Sequence, residues 1–118
     1  MRRFPSSVYS VGEEPDPRFS LANERTFLAW TRTALALIAG GVALEVLGLD
    51  LHPGFRLAAS LLLMVTGTVV APLAWWEWMR AERALRQSRP LPGALSAILL
   101  AVVVVTVGLL VLAGVLWR

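Results

Sequence analysis

The 118-residue chain contains no cysteine and no lysine, and its single histidine is His52. Without cysteine, the chain cannot form disulfides, iron–sulfur clusters or a thiolate nucleophile. One histidine without nearby ligand partners does not make a metal site. The sequence also lacks the spacings typical of a nucleophile with its base or of a phosphate-binding loop. We therefore expect no enzyme activity, no cofactor and no metal.

Charged residues are scarce as well, at 16% of the chain against 57% hydrophobic residues. Three long apolar stretches run from about Phe27 to Leu49, from about Leu57 to Met79 and from about Ala94 to Trp117. Each is long enough to cross a hydrocarbon core of about 30 Å as a helix. Too little chain remains for a separate soluble core. The sequence predicts an all-α membrane protein whose three transmembrane helices lie in one domain, residues 18–118.

The basic residues are all arginine, and most of them flank the apolar stretches. Eight precede the first span or lie between the second and third: Arg2, Arg3, Arg18, Arg25, Arg80, Arg83, Arg86 and Arg89. Only Arg56 separates the first two spans, and only Arg118 follows the third. This bias predicts a multi-pass protein of the bacterial inner membrane with a cytoplasmic N-terminus and an outer C-terminus. Arginines placed beside membrane spans argue against a nucleic-acid partner.

The segments at the basic ends of the spans are polar. Residues 1–17 are rich in proline and acidic residues, which predicts a flexible cytoplasmic arm. Ser20 is a candidate N-cap for the first helix. The second helix is predicted to continue beyond Met79, supported by a Glu82–Arg86 pair at i,i+4 spacing.

The first span carries a stripe of small residues and arginines. Positions 25, 29, 32, 36, 39 and 43 read Arg, Ala, Arg, Ala, Ala, Ala and share one helix face. Small residues favour close helix packing in membranes. Gly41, Glu45 and Gly48 form a second such surface. Two faces unsuited to lipid favour a homo-oligomeric bundle, unless the other two helices of the same chain cover both.

Arg25 and Arg32 are the first candidate site residues. Several copies of both, with Arg80 and Arg83, would form a cationic ring that attracts phosphate-like anions. The alternative is that Arg32 reaches a lipid phosphate or pairs with a glutamate. Its candidate partners are Glu24, Glu77 and Glu82.

Glu45 is the only carboxylate well inside a span. An intramembrane carboxylate is typical of proton or cation relays. The alternative is a simple pair with Arg56 near the outer interface.

The start of the first helix resembles a known family. The string at 21–30, LANERTFLAW, is similar to that of the YidH-type family of small bacterial inner-membrane proteins. Its core also resembles the transmembrane domain of the eukaryotic vacuolar transporter chaperone complex, which makes polyphosphate and passes it across a membrane. The resemblance implies a role for Arg25 at an anion entrance, with Asn23, Glu24 and Thr26 as the supporting motif.

Two functions of different classes remain open. The first is an oligomeric channel or conduit for phosphate-like anions of the polyphosphate type. The alternative is a non-transporting scaffold or regulatory subunit that binds a partner or anionic lipid through the same basic surface. A proton-coupled transporter centred on Glu45 is a weaker third possibility.

Overall fold

A computed structural model describes residues 3–118, and these are helical apart from short connections. The helices are α1 (Ser6–Tyr9), α2 (Pro17–Val46), α3 (Pro53–Arg86) and α4 (Leu95–Leu116). The last three are long and apolar enough to cross a membrane. Large apolar side chains such as Leu35, Val105 and Leu116 are 63%, 63% and 74% exposed. Apolar surface of this kind suits a lipid environment, so the predicted all-α membrane architecture is confirmed.

The seam between α2 and α3 is built on glycine. A Cβ added to Gly41 of α2 would lie 2.7 Å from the Ser60 carbonyl oxygen of α3. A Cβ on Gly67 of α3 would lie 2.6 Å from the Ala34 carbonyl oxygen of α2. Ser60 Oγ also donates a 2.6 Å hydrogen bond to the Gly41 carbonyl. Small residues thus let the two backbones approach closely, as membrane helix pairs require.

Helix α3 is the central element of the described bundle. It packs against both α2 and α4, whereas α2 and α4 share no Cα pair within 8 Å in the region described. Near the end of α4, the Gly114 carbonyl accepts a 3.0 Å hydrogen bond from the His52 amide in the α2–α3 turn. The side of α2 that faces away from α3 is therefore not covered by α4.

The helix boundaries follow local chemistry. The N-cap of helix α2 is Asp16 rather than the predicted Ser20: the Asp16 side chain accepts from the Arg18 amide, and Pro17 takes the first helical position. Helix α3 continues through Pro72 to Arg86, which confirms the predicted extension beyond Met79.

Residues 3–16 pack against α3 in the described structure, although the sequence predicted a flexible arm. Val8 is fully buried, and the Phe4 ring stacks on Trp75 with ring centroids 6.4 Å apart. The Glu13 amide donates a 2.8 Å hydrogen bond to the Arg86 carbonyl. The prediction from proline content missed this docking because its partners lie more than 60 residues away in the sequence.

Candidate functional site

Arg25 and Arg32 lie on the face of α2 opposite the seam with α3. The seam residues of α2 include Asn23, Ala34 and Gly41, which lie within about 20° of one another at 100° per residue. Arg25 and Arg32 are about 180–200° from Asn23 on the same helical count and about 10 Å apart along the axis. Both side chains are exposed.

The alanines of the stripe share this uncovered face. Four of the six stripe positions are alanine, at 29, 36, 39 and 43, and the first three of these are exposed. We call this surface the Ala/Arg stripe. No Cα atom of α4 lies within 8 Å of a Cα atom of α2, and Ala29, Ala36 and Ala39 are exposed, so the other two helices of this chain leave the Ala/Arg stripe uncovered in the described structure.

The expected glutamate partners of Arg32 are engaged elsewhere or exposed. Glu77 accepts 2.8 Å hydrogen bonds from both the amide and the hydroxyl of Ser96, at the start of α4. This carboxylate satisfies an amide that the helix itself leaves free and faces the positive end of the helix dipole. Glu24 is exposed and forms no ion pair among the described residues. No ion pair of Arg25 or Arg32 occurs within residues 3–118.

Asn23, in the 21–30 string, links α2 to α3 through side-chain hydrogen bonds. Its amide donates to the Trp78 carbonyl at 3.2 Å and approaches Glu82 Oε1 at 3.5 Å. Ser20 Oγ donates to the other Glu82 oxygen at 2.9 Å. Glu82 is only 3% exposed, so these bonds compensate a buried carboxylate. Within the motif, Asn23 therefore has a structural role, which is to hold α2 against α3.

Thr26 contributes differently from Asn23. Its hydroxyl bonds back to the Ala22 carbonyl at 3.1 Å, within its own helix. The side chain also lines a groove between α2 and α3, described below.

Arg80 and Arg83 border a separate concavity at the end of α3. Together with Arg89 and the prolines Pro90 and Pro92, they line a polar hollow of about 350 Å³. The Arg80 guanidinium lies 4.6 Å from the Trp76 ring centroid, and Arg89 bonds to the Gln87 side chain. None of the three arginines has an ion pair in the described part of the chain. We call this hollow the arginine pocket; its third member, Arg89, was missed at the sequence level.

The four predicted arginines thus fall into two pairs. Arg80 and Arg83 lie about 140–160° around α3 from Gly67, a seam residue. Arg25 and Arg32 point away from the same seam on α2. Within one chain, the two pairs lie on different outward faces rather than on one continuous ring.

An apolar groove adjoins the arginine pocket. It has a volume of about 260 Å³ and lies between the start of α2, the end of α3 and the 91–94 loop. Its lining includes Ala22, Phe27, Trp30 and Leu91. Arg80 and Pro92 line both this groove and the arginine pocket, so the two concavities share a border.

Glu45 lies at the other end of the bundle. Its Oε1 is 3.7 Å from Arg56 Nε, and the two side chains are 37% and 25% exposed. This geometry agrees with the simple interfacial pair rather than with an isolated intramembrane carboxylate. It offers little support for a proton relay.

Arg86 is an anchor that the sequence did not reveal. Its side chain is 7% exposed, and the guanidinium donates to the Val11 carbonyl at 2.9 Å, the Tyr9 carbonyl at 3.1 Å and Glu14 at 2.8 Å. The expected Glu82–Arg86 pair is wrong, because each of the two side chains has other partners. Gly12 has a φ of +64° and faces the Arg86 carbonyl, where a side chain would not fit.

Glu14 connects this anchor to Arg3. Arg3 Nη2 donates to both Glu14 oxygens, at 2.7 and 2.8 Å. Hydrogen bonding from Arg3 first, and from Arg86 second, holds the pKa of the Glu14 carboxyl below its usual value. The docked N-terminal segment is therefore held in part by an ionised Glu14.

Comparison with known proteins places this architecture in a family. The domain of unknown function DUF202 matches residues 18–84, which contain the motif, the Ala/Arg stripe and nearly all of α3. The chain belongs to the DUF202 family. Inner membrane protein YidH of Escherichia coli is 43% identical to this chain over 113 residues, covering 91% of this chain and 98% of the relative. The YidH-type resemblance of the sequence is thereby confirmed.

A second relative comes from a distant bacterium. An uncharacterized protein of Mycobacterium tuberculosis is 45% identical over 101 residues, covering 85% of this chain and 83% of that protein. No solved structure matches the chain. Three apolar helices and the YidH relatives together identify a multi-pass inner-membrane protein.

Proposed function

We propose that several copies of this DUF202 protein assemble around the Ala/Arg stripe of α2 and form a conduit for phosphate-like anions. Arg25 and Arg32 would line its entrance, on the cytoplasmic side of the inner membrane. The proposal is carried by one observation: Arg32 is exposed, on a small-residue face opposite the α3 seam, without an acidic partner among the described residues.

The position of Arg32 within a membrane helix has an energetic cost. Arginine at the centre of a membrane helix costs about 2.5–3.5 kcal/mol on insertion scales, and less near the interface. In a single chain, the Ala/Arg stripe would present this arginine and four alanines to lipid. Assembly of copies around the stripe gives the alanines a packing partner and gives the guanidinium a wet, polar surrounding.

The arginines then set the charge of the entrance. Several copies of Arg25 and Arg32 would form two cationic rings about 10 Å apart along the axis. Such rings concentrate anions and disfavour cations. Arginine also binds phosphate oxygens in a bidentate geometry. The similarity of the 23–30 string to a polyphosphate-passing transmembrane domain supports phosphate as the anion class.

The proposed entrance contains two of the four arginines that the sequence predicted for a cationic ring. Arg80 and Arg83 border the arginine pocket on another face, so they are assigned no part in lining the conduit. The entrance therefore depends on Arg25 and Arg32 alone.

The test is conductance in reconstituted bilayers. Wild-type protein is expected to carry an anion-selective current that polyphosphate blocks or carries, and Arg25→Ala with Arg32→Ala is expected to abolish the selectivity. Arg118→Ala removes an arginine at the opposite end of the bundle and is the control, which should leave the current unchanged. A silent wild type, or a current insensitive to the double substitution, would contradict the proposal.

Stoichiometry separates this function from the scaffold alternative. A monomer, or an oligomer sealed along its axis by apolar side chains, would favour a non-transporting scaffold or regulatory subunit.

If a current exists, Glu45→Gln is expected to leave the pH dependence of the current intact, because Glu45 pairs with Arg56.

A further inference from the structure

We propose that the arginine pocket and the adjoining apolar groove form one binding site for an anionic phospholipid. The lipid phosphate would lie among Arg80, Arg83 and Arg89, and one acyl chain would lie in the groove. The three arginines of this site lie on a different face from Arg25 and Arg32, so it stands or falls independently of the conduit.

The first observation is the contiguity of the two concavities. The lining of the arginine pocket consists of three arginines, two prolines and Ala84, whereas the groove is lined mainly by apolar side chains. Arg80 and Pro92 belong to both linings. A ligand that fills both must therefore be amphiphilic, with an anionic group and an apolar chain joined at the position of Arg80.

The second observation is the charge of the pocket. Arg80, Arg83 and Arg89 have no carboxylate partner in the described part of the chain. The carboxylate that lines the groove, Glu77, is bonded through both oxygens to Ser96 and so is held at the start of α4. The unpaired guanidinium groups match a phosphate in charge and in hydrogen-bond geometry.

The third observation is the position of the groove in the bundle. Helices α2 and α4 flank α3 with no Cα pair between them within 8 Å, and the groove at their arginine-rich ends has the α3 residues Ala74 and Trp78 in its lining. At the arginine-rich end, Trp30 and Ala74 line the groove toward the middle of the bundle, and Leu91 lines it toward the loop. An acyl chain entering from the bilayer would run along this groove, with its headgroup at the interface where arginines meet lipid phosphates.

Charge complementarity also favours an anionic lipid over a second copy of the chain as the occupant of this site. The protein carries a formal net charge of +3, and its arginines are concentrated at this same end. A neighbouring copy docked here in parallel would bring its own arginines to the pocket. An anionic lipid brings the opposite charge, so the lipid is the occupant that the pocket favours.

The site can be tested by native mass spectrometry of the full chain in detergent, titrated with phosphatidylglycerol. Each arginine near an anionic membrane surface contributes about fivefold in affinity. The triple variant Arg80→Gln, Arg83→Gln, Arg89→Gln is therefore expected to weaken binding about a hundredfold. Arg18→Gln removes an exposed charge near the start of α2, outside the pocket, and is the control, with a change of about twofold or less.

A groove-filling variant distinguishes the lipid from free phosphate. Ala22 is exposed and lines the groove, so Ala22→Trp occupies the acyl path without removing an arginine. It should weaken phosphatidylglycerol binding at least tenfold, while inorganic phosphate at millimolar concentration should not displace the lipid. Retained helical content by circular dichroism and unchanged unfolding would show that both variants fold.

Three results would overturn the site. One is phosphatidylglycerol binding no tighter than phosphatidylcholine binding. Another is full lipid affinity in Ala22→Trp with efficient displacement by inorganic phosphate, which would indicate a free-anion site. The third is a crosslink between copies through the groove that excludes lipid. The stripe variants Arg25→Ala and Arg32→Ala should leave lipid binding intact, so failure here is distinguishable from failure of the conduit.

Discussion

Two adjacent glycines in α2 allow the packing of the α2–α3 seam to be tested with an internal control. A Cβ at Gly41 would lie 2.6 Å from Met64 Cγ and 2.7 Å from the Ser60 carbonyl oxygen. A Cβ at Gly40 would meet only Leu63 Cδ1, at an ordinary 3.8 Å. Alanine at either position gains up to about 1 kcal/mol in helix propensity. Only alanine at 41 forces the helices apart.

The expected difference follows from these distances. Overpacking of a tight contact costs about 1–3 kcal/mol, and the Ser60 carbonyl belongs to a helix backbone that cannot rotate away. The clash would also strain the 2.6 Å bond from Ser60 Oγ to the Gly41 carbonyl, a further loss of about 1 kcal/mol. Because the propensity gain cancels between the two variants, Gly41→Ala should be less stable than Gly40→Ala by about 2–4 kcal/mol.

The assay is equilibrium unfolding in mixed micelles, followed by tryptophan fluorescence and circular dichroism. Gly40→Ala should unfold at or slightly above the wild-type midpoint, and Gly41→Ala clearly below it. The pair Gly67→Ala and Gly108→Ala repeats the comparison, since a Cβ at Gly108 meets nothing within 4 Å. Equal midpoints for Gly40→Ala and Gly41→Ala would refute the glycine-based seam.

Three further predictions concern the arginine-rich end. Asn23→Ala should destabilise the fold by about 1–3 kcal/mol in the same unfolding assay, because it leaves buried Glu82 with one fewer donor; a neutral effect would contradict this link between α2 and α3. At pH values above the lowered pKa of Glu14 the N-terminal segment should stay docked, and it should be released as the pH falls through that pKa, below about 4.5. Limited proteolysis of the segment measures its release, and Glu14→Gln should be cut faster than wild type at neutral pH. A cleavage rate that does not depend on pH would exclude the ionic contribution. Finally, a C-terminal alkaline phosphatase fusion should be active and a C-terminal green fluorescent protein fusion dark, because the arginine bias predicts an outer C-terminus; the reverse would overturn the orientation.

The transmembrane architecture was accessible from the sequence because it rests on local properties. Long apolar runs must form helices in a bilayer, so the three spans followed from hydropathy and length alone. The extension of α3 to Arg86 followed from the absence of helix breakers before Pro90. The start of α2 was misplaced by four residues, because Asp16 rather than Ser20 caps the helix and Pro17 takes its first position.

The side-chain pairs were less accessible because their partners are distant in the sequence. Glu77 meets Ser96 across the α3–α4 turn, and Arg86 meets Glu14 across 72 residues. Neither pair has a spacing signal, so local reasoning assigned Arg86 to its i,i+4 neighbour instead. The helix face on which Arg32 lies was predictable from helical periodicity. That no other helix covers this face could be seen only from the position of α4 in the structure.

The Ala/Arg stripe of α2 is the face around which we propose that copies assemble. The chain has no cysteine, so a crosslink between two copies of a single-cysteine variant in native membranes must form through the introduced residue. Ala36→Cys and Ala39→Cys, on the stripe, should give linked dimers with a short bifunctional maleimide. The controls Leu35→Cys and Ile98→Cys lie at exposed positions off the stripe, 63% and 67% exposed, and should remain monomeric. Crosslinking at the controls in preference to the stripe, or at no position, would contradict the account.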